Sequence, residues 1–318
     1  MRIVVFGAGA VGGVIAARLF EHGNEVVAIA RGAHFEAVRD NGLRLVDPDR
    51  KVTLPIPVVD DPARIDWRAD DVVLVTTKSQ DSTGAFGALA AAVGSAVPVV
   101  CVQNGVENER IALRRFERVY SICVMLPAEH VEPGVVAASS GPVTGLLDIG
   151  RYPAGLDDTA HAVASALSGA TFESIPRPDV MRWKYAKLLM NLANVVEALC
   201  APGDDATALG RLVRSEGAAV LRAAGIDFAS KEEDRERRGE RLSPRLARGG
   251  GSTWQSMRRG TGALETDYLN GEIALLARLH GVAAPVNALL QAAANDAARR
   301  KLSPGSLRAS DLLTGAGC

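Results

Sequence analysis

Net charge is almost absent from this sequence: 36 Lys and Arg stand against 37 Asp and Glu in 318 residues, leaving −1 at pH 7. That balance gives no overall electrostatic reason to expect nucleic acid or an anionic membrane as a partner, since either would need a local patch. Cysteine is scarce as well, with Cys101, Cys123, Cys200 and Cys318 scattered and without CxxC spacing. Neither a zinc site nor a disulfide framework is expected, and the four read as reduced cytosolic thiols. No apolar stretch reaches the about 18 residues of a membrane helix, and the first residues run straight into what reads as a core strand. Neither a signal peptide nor a transmembrane helix is therefore expected, and the protein reads as cytoplasmic. Internal repeats and low-complexity tracts are missing too, apart from alanine-rich helical stretches. What remains is 47% hydrophobic and 23% charged residues, the composition of an ordinary globular chain long enough for two domains.

The stretch around which the rest is organised is MRIVVFGAGAVGGVIAARLFE, Met1 to Glu21. An apolar run, Ile3 to Phe6, breaks at Gly7-Ala8-Gly9-Ala10-Val11-Gly12 into a helical pattern with Val11, Ile15 and Leu19 on one face. Strand, tight turn and helix in that order form the context that makes GxGxxG a dinucleotide-binding motif. The first glycine permits the turn, the second lets backbone approach a pyrophosphate, and the third lets helix lie close to strand. Free N–H groups at the helix start then face the phosphates.

Asn24 to Ala30 reads as the second strand, with Arg31-Gly32 in the βα turn after it. NAD-binding versions of this unit carry a carboxylate there, about 20 residues past the glycines, which accepts from the ribose hydroxyls. Arg31 stands in its place. A guanidinium pairs with a 2′-phosphate that a carboxylate would repel, so NADPH is expected over NADH; the alternative is a surface arginine in a loop. Leu43 to Val46 and Val52 to Val59 alternate as short strands, and Val72 to Val75 is a buried-strand run ending in Thr76-Thr77-Lys78-Ser79-Gln80. Lys78 thus falls at the carboxyl end of a strand, the edge where ligands bind in an α/β sheet, with a solvated lysine as the rival. Val99 to Val102 ends likewise in Gln103-Asn104-Gly105, and polar residues recurring at successive strand ends argue for a ligand crevice.

At Pro176-Arg177-Pro178 the periodicity changes, and from Val180 onward only helical signals appear: Val180 to Cys200, Ala206 to Ala224, Leu264 to His280 and Val286 to Lys301. The expected domains are residues 1–177 and 178–318, an α/β nucleotide-binding domain followed by an all-helical one. Lys231 to Arg241 is a mixed-sign run expected to be a solvated helix face, and Asp311 to Cys318 a loose tail. In the helix from Val180, Lys187, Asn191 and Asn194 fall within about 60° of one another, a polar stripe flanked closely by apolar residues. Such a stripe suits a cleft, or else a buried polar contact between domains.

With these residues in view, the chain resembles the ketopantoate reductases (2-dehydropantoate 2-reductases) and their paralogues over nearly its whole length. The resemblance rests on the N-terminal GAGAVG, Lys78 after a strand, Gln103-Asn104-Gly105, the Lys-x-x-x-Asn of Lys187 and Asn191, and Glu265-Thr266-Asp267-Tyr268-Leu269-Asn270-Gly271. It implies a Rossmann-type domain followed by a helical domain, with NADPH and a small 2-keto acid between them. It also implies Lys187 as proton donor, Asn191 holding substrate, Lys78, Asn104 and Glu265 touching cofactor or ordering the reacting centre, and Ser252 helping to hold the substrate carboxylate.

Three departures lie on the substrate side. Trp183 is four residues before Lys187, where the family has its tryptophan two before; Tyr185 takes that place. The second family asparagine, eight after the lysine, is Val195 here, and Asn194 is the candidate substitute. Ser252-Thr253-Trp254-Gln255 replaces a Ser-Ser-Met-x-Gln-Asp loop. The expected activity is NADPH-dependent reduction of a 2-keto acid, ketopantoate first, as in pantothenate biosynthesis. A paralogue acting on another 2-oxo acid and a noncatalytic NADP(H)-binding regulator are the alternatives. The substrate identity stays open, and there is room for a homodimer.

Overall fold

A computed structural model describes residues 1–243, 245–246, 250–260 and 262–316; Cys318, read above as a reduced thiol, lies outside them. The chain divides into two compact units, Met1–Gln103 with Asn108–Lys184 and Lys231–Ala247, and Asn104–Glu107 with Tyr185–Ser230 and Arg248–Cys318.

Among the described residues the first unit contains twelve strands: β1 (Arg2–Phe6), β2 (Val26–Ile29), β3 (Leu43–Val46), β4 (Lys51–Leu54), β5 (Val58–Val59), β6 (Asp71–Val75), β7 (Val99–Cys101), β8 (Val119–Met125), β9 (Ala128–Glu132), β10 (Val135–Ala138), β11 (Gly145–Arg151) and β12 (Phe172–Glu173). Eight make one sheet, ordered β12-β11-β8-β7-β6-β1-β2-β5, parallel except where β11 meets β8. Helices α1 (Ala10–Glu21), α2 (Gly32–Asn41), α3 (Ser82–Val93), α4 (Asn108–Leu113) and α5 (Asp158–Ser168) connect the strands. Central strands read as unbroken apolar runs because both faces are covered. Ile3, Val5, Val72 and Leu74 enter one core, and Val4, Phe6, Val73 and Val75 the other. From β1 the chain winds outward to β2, then returns across the sheet to β6, so the topological switch lies between the carboxyl ends of β1 and β6.

The stretch Val52 to Val59, expected as one alternating strand, serves two sheets. Pro55 and Pro57 cannot donate to a ladder and interrupt it. β4 joins a smaller sheet, β4-β3-β10-β9, and β5 the large one.

The second unit is helical. The expected helix Val180 to Cys200 is two, α6 (Val180–Asn191) and α7 (Asn194–Leu199), with Leu192 and Ala193 in a turn. Buried Asn270 donates to the Leu192 carbonyl oxygen at 3.2 Å and to Asn287 Oδ1 at 3.0 Å, so that carbonyl finds its partner in a side chain. α8 (Asp204–Ala223) packs against the break, and a Cβ at Gly217 would overlap Leu192.

The charged run Lys231 to Arg241 departs from expectation on one face. Its helix α9 (Lys231–Arg238) belongs to the first unit and buries Arg237, which donates to Asp148 from Nη2 at 2.6 Å and Nε at 2.8 Å; Arg177 Nε joins at 2.7 Å. Burial pushes the Asp148 carboxyl up, but the two arginines outweigh it and hold it below the usual carboxylate range. One face of the run is thus an anchor, while Lys231, Glu232, Arg235, Glu236, Glu240 and Arg241 are exposed, as a solvated face would be. α10 (Ser252–Arg258), α11 (Asn270–Leu279) and α12 (Pro285–Arg299) complete the second unit, with a short 3₁₀ turn, Glu265–Tyr268, before α11 in what was expected to be one helix from Leu264. The tail read as loose forms α13 (Ala309–Gly315), packed on α8 and α12.

Candidate active site

The first unit brings the glycine turn and the end of β6 together. Gly7 has φ +107°, a conformation open to glycine, and a Cβ there would stand 3.0 Å from the Thr77 nitrogen. Thr76 Oγ1 donates to the Gly7 carbonyl oxygen at 2.6 Å, and a Cβ at Gly12 would overlap both atoms. Gly12 is therefore needed for close packing. Gly9 differs: a Cβ there would meet nothing within 4 Å, so its face is open.

Ala10, Val11 and Gly12 form the first turn of α1, which carries no acidic side chain and no side-chain cap, and their N–H groups have no intrahelical acceptor. The buried Thr77 Oγ1, beside Gly7, has no hydrogen-bond partner. An open glycine face, first-turn N–H groups and an orphaned hydroxyl at the switch point suit the pyrophosphate of a dinucleotide. Arg31 is the exposed N-cap residue of α2, just past β2, and Lys78 lies three residues beyond β6, half-buried.

His34 was not expected here. Its Nε2 lies 2.7 Å from the Ala8 carbonyl oxygen, and burial holds its imidazole below the ordinary histidine range. Sequence could not show this, because the ring's other partners, His130 and Gly134, lie 96 and 100 residues away.

The two lysines of α6 have different surroundings. Lys184 is 3% exposed, and its Nζ donates to Glu109 Oε1 at 2.5 Å and to the Gln103 carbonyl oxygen at 3.0 Å. Ser121 Oγ donates to the same Glu109 oxygen at 2.6 Å. Lys184 is thus committed to a buried ion pair. Lys187 is half-buried.

Within the second unit, Asn191 donates from Nδ2 to Asn104 Oδ1 at 3.0 Å, joining two of the expected site residues. Asn194 is the first residue of α7, so it lies beyond the break and not on one continuous stripe with Lys187 and Asn191. Ser252 opens α10, and Glu197 Oε1 accepts the N–H of the preceding Gly251 at 3.1 Å. Glu265 is buried at the start of the 3₁₀ turn. Trp254 is half-buried, with its ring where a Gly250 Cβ would meet it at 2.7 Å and with the Arg258 guanidinium 5.5 Å from its centre.

Residues 3–153 match the family described as ketopantoate reductase PanE/ApbA, and residues 179–298 match its C-terminal part. A 2-dehydropantoate 2-reductase of Halobacterium salinarum is 31% identical over 306 residues, 90% of this chain and 95% of that one. The chain belongs to the ketopantoate reductase family. Among solved structures, a PanE/ApbA family ketopantoate reductase from Ralstonia eutropha JMP134 superposes with a TM-score of 0.80 at 28% identity, over 95% of this chain and 99% of that one. D-mandelate dehydrogenase, in a ternary structure with NADH and anilino(oxo)acetate, shares the fold with a TM-score of 0.81 at 20% identity, over 95% and 100% of the two chains.

Membership makes this chain an oxidoreductase of a Rossmann-type domain followed by a helical one, and it gives the regulator alternative no support. Among the described residues no helix is long and apolar enough to cross a membrane, no group of three or more His, Cys, Asp and Glu could hold a metal, and Cys101, Cys123 and Cys200 are buried and in no disulfide.

Proposed function

We propose that this ketopantoate reductase family member reduces a 2-keto acid to the 2-hydroxy acid with NADPH, 2-dehydropantoate to pantoate foremost, the step that serves pantothenate biosynthesis. The observation that carries this reading is the hydrogen bond of Asn191 to Asn104, one helical turn after Lys187. Two neutral amides holding each other beside a lysine leave a cation as the group able to answer developing negative charge.

Held by these residues, the cofactor would supply the hydride for the substrate carbonyl carbon. The Lys187 ammonium stabilises the charge that grows on the carbonyl oxygen and then gives it a proton. Asn191 and Asn194 orient the hydroxyl and carboxylate of the substrate without competing for that proton, and Ser252 donates to the carboxylate. Lys78, Asn104 and Glu265 would order the cofactor, and Gly7 to Gly12 would hold its pyrophosphate. The test is NADPH oxidation, followed by absorbance, against a panel of 2-keto acids that includes 2-dehydropantoate. Turnover of 2-dehydropantoate with the highest kcat/KM is expected, and no turnover of any member would sink the proposal.

Cofactor choice is assigned to Arg31, whose place at the head of α2 suits a 2′-phosphate. Arg31→Ala should weaken NADPH binding by about 1.5–3 kcal/mol, the scale of a hydrogen bond to a charged group, while NADH changes little. Equal losses for the two cofactors would show that Arg31 does not read the phosphate.

Substrate choice is assigned in part to Trp254, which stands two residues after Ser252 on α10. Trp254→Ala should reorder the keto acids by kcat/KM and leave NADPH affinity alone. A lower melting temperature with the original order would make it a packing residue instead.

A further inference from the structure

One imidazole joins three parts of the first unit. His34, in the first turn of α2, reaches the Ala8 carbonyl oxygen inside the glycine turn with Nε2, at 2.7 Å. On the other side of the ring, the Gly134 N–H, at the turn between β9 and β10, donates to Nδ1 at 2.9 Å. A backbone N–H can only donate, so Nδ1 carries a lone pair and the ring proton sits on Nε2. His34 is therefore a neutral donor to Ala8. His130 Nε2, 3.0 Å from the same Nδ1, is consistent with a second donor there.

The Ala8 carbonyl belongs to the same peptide plane as the Gly9 N–H, which donates to the Gly7 carbonyl oxygen at 2.8 Å. Thr76 holds that Gly7 oxygen from the β6 side. Thr76 and His34 thus restrain the turn from opposite ends. A turn left unrestrained could rotate the Ala8–Gly9 peptide and bring the Ala8 carbonyl oxygen toward the phosphate, which its partial negative charge would repel. We propose that His34 is a positioning residue for cofactor binding, whose Nε2–H, oriented by Gly134, holds the Ala8–Gly9 peptide in the conformation that accepts the pyrophosphate. This deepens the NADPH reading above and rests on it.

Three substitutions separate the two bonds of the ring. Glutamine can place an amide N–H where Nε2 stands, asparagine reaches only as far as Nδ1, and alanine reaches neither. The dissociation constant of NADPH is measured by its fluorescence on titration with each purified protein, together with KM, kcat and melting temperature. His34→Gln should bind NADPH within about twofold of wild type, while His34→Asn and His34→Ala should bind about 3- to 10-fold more weakly, the scale of one lost hydrogen bond. The loss should appear in KM for NADPH, with kcat at saturating cofactor falling far less. Equal affinity in all four proteins would overturn the inference, as would His34→Gln binding as weakly as His34→Ala. Losses that track melting temperature alone, with no rescue by glutamine, would make His34 a packing residue and overturn it too. Wild-type protein that binds no NADPH would instead sink the cofactor reading, and this inference with it.

Discussion

Lys187→Ala should lower kcat by about 10²–10⁴-fold, the contribution of a positioned general acid, with NADPH binding largely retained. Hydride arriving at a carbonyl carbon leaves charge on oxygen, which an ammonium can both stabilise and neutralise. Half-buried, Lys187 has neighbours of its own, while Asn191 one turn later is held by Asn104. Stopped-flow single turnovers would place the loss in the chemical step, and titration of NADPH fluorescence would show the cofactor still bound. A variant that kept most of its kcat would remove Lys187 from the mechanism.

Lys184→Ala should fail in a different way, by losing stability of about 3–5 kcal/mol. Glu109 is 0% exposed, and without its partner a carboxylate would be left in the interior with Ser121 as its remaining donor. Loss of the bond to the Gln103 carbonyl oxygen, next to Asn104, adds local disorder to that cost. The melting temperature should fall by on the order of 10 °C, whereas Lys187→Ala should change it by far less. The double variant Lys184→Met/Glu109→Gln should recover much of the loss, since neither charge then remains buried. Thermal unfolding of the three proteins, with kcat measured well below their transitions, separates the two lysines. If Lys184→Ala stayed as stable as wild type and lost turnover while Lys187→Ala kept it, the register of α6 would be misassigned and Asn191 would fall with it.

That pair of lysines marks where periodicity stopped being informative. Three residues apart, they differ by about 60° around the helix, too little for a pattern of apolar residues to decide which one is buried. Glu109, 75 residues away, decides it. Asn194 is a similar case. A uniform helical wheel puts it on the stripe, but the chain turns at Leu192 and Ala193 because Asn270 supplies the Leu192 carbonyl with a partner from another element. For Lys231 to Arg241, composition pointed to solvent, where most of the run does lie, and only the meeting of Arg237 with Asp148 turns its inner face into an anchor.

Where the determinants were local, the sequence was sufficient by itself. GAGAVG between an apolar run and a helical period specifies strand, turn and helix, because a positive φ at Gly7 and the close packing at Gly12 are demands that a few adjacent residues meet or fail. The change of period near Pro176 likewise announced helices after an α/β region, and the motifs spaced along the chain identified the family. Tertiary structure alone decided which side chains meet: Asn191 with Asn104, Lys184 with Glu109, His34 with Ala8 and Gly134. The physical reason is that a strand or helix is selected by backbone geometry and burial pattern over a few turns of chain, whereas a buried polar group needs one particular partner. That partner is supplied by whichever distant segment the packed core brings within about 3 Å.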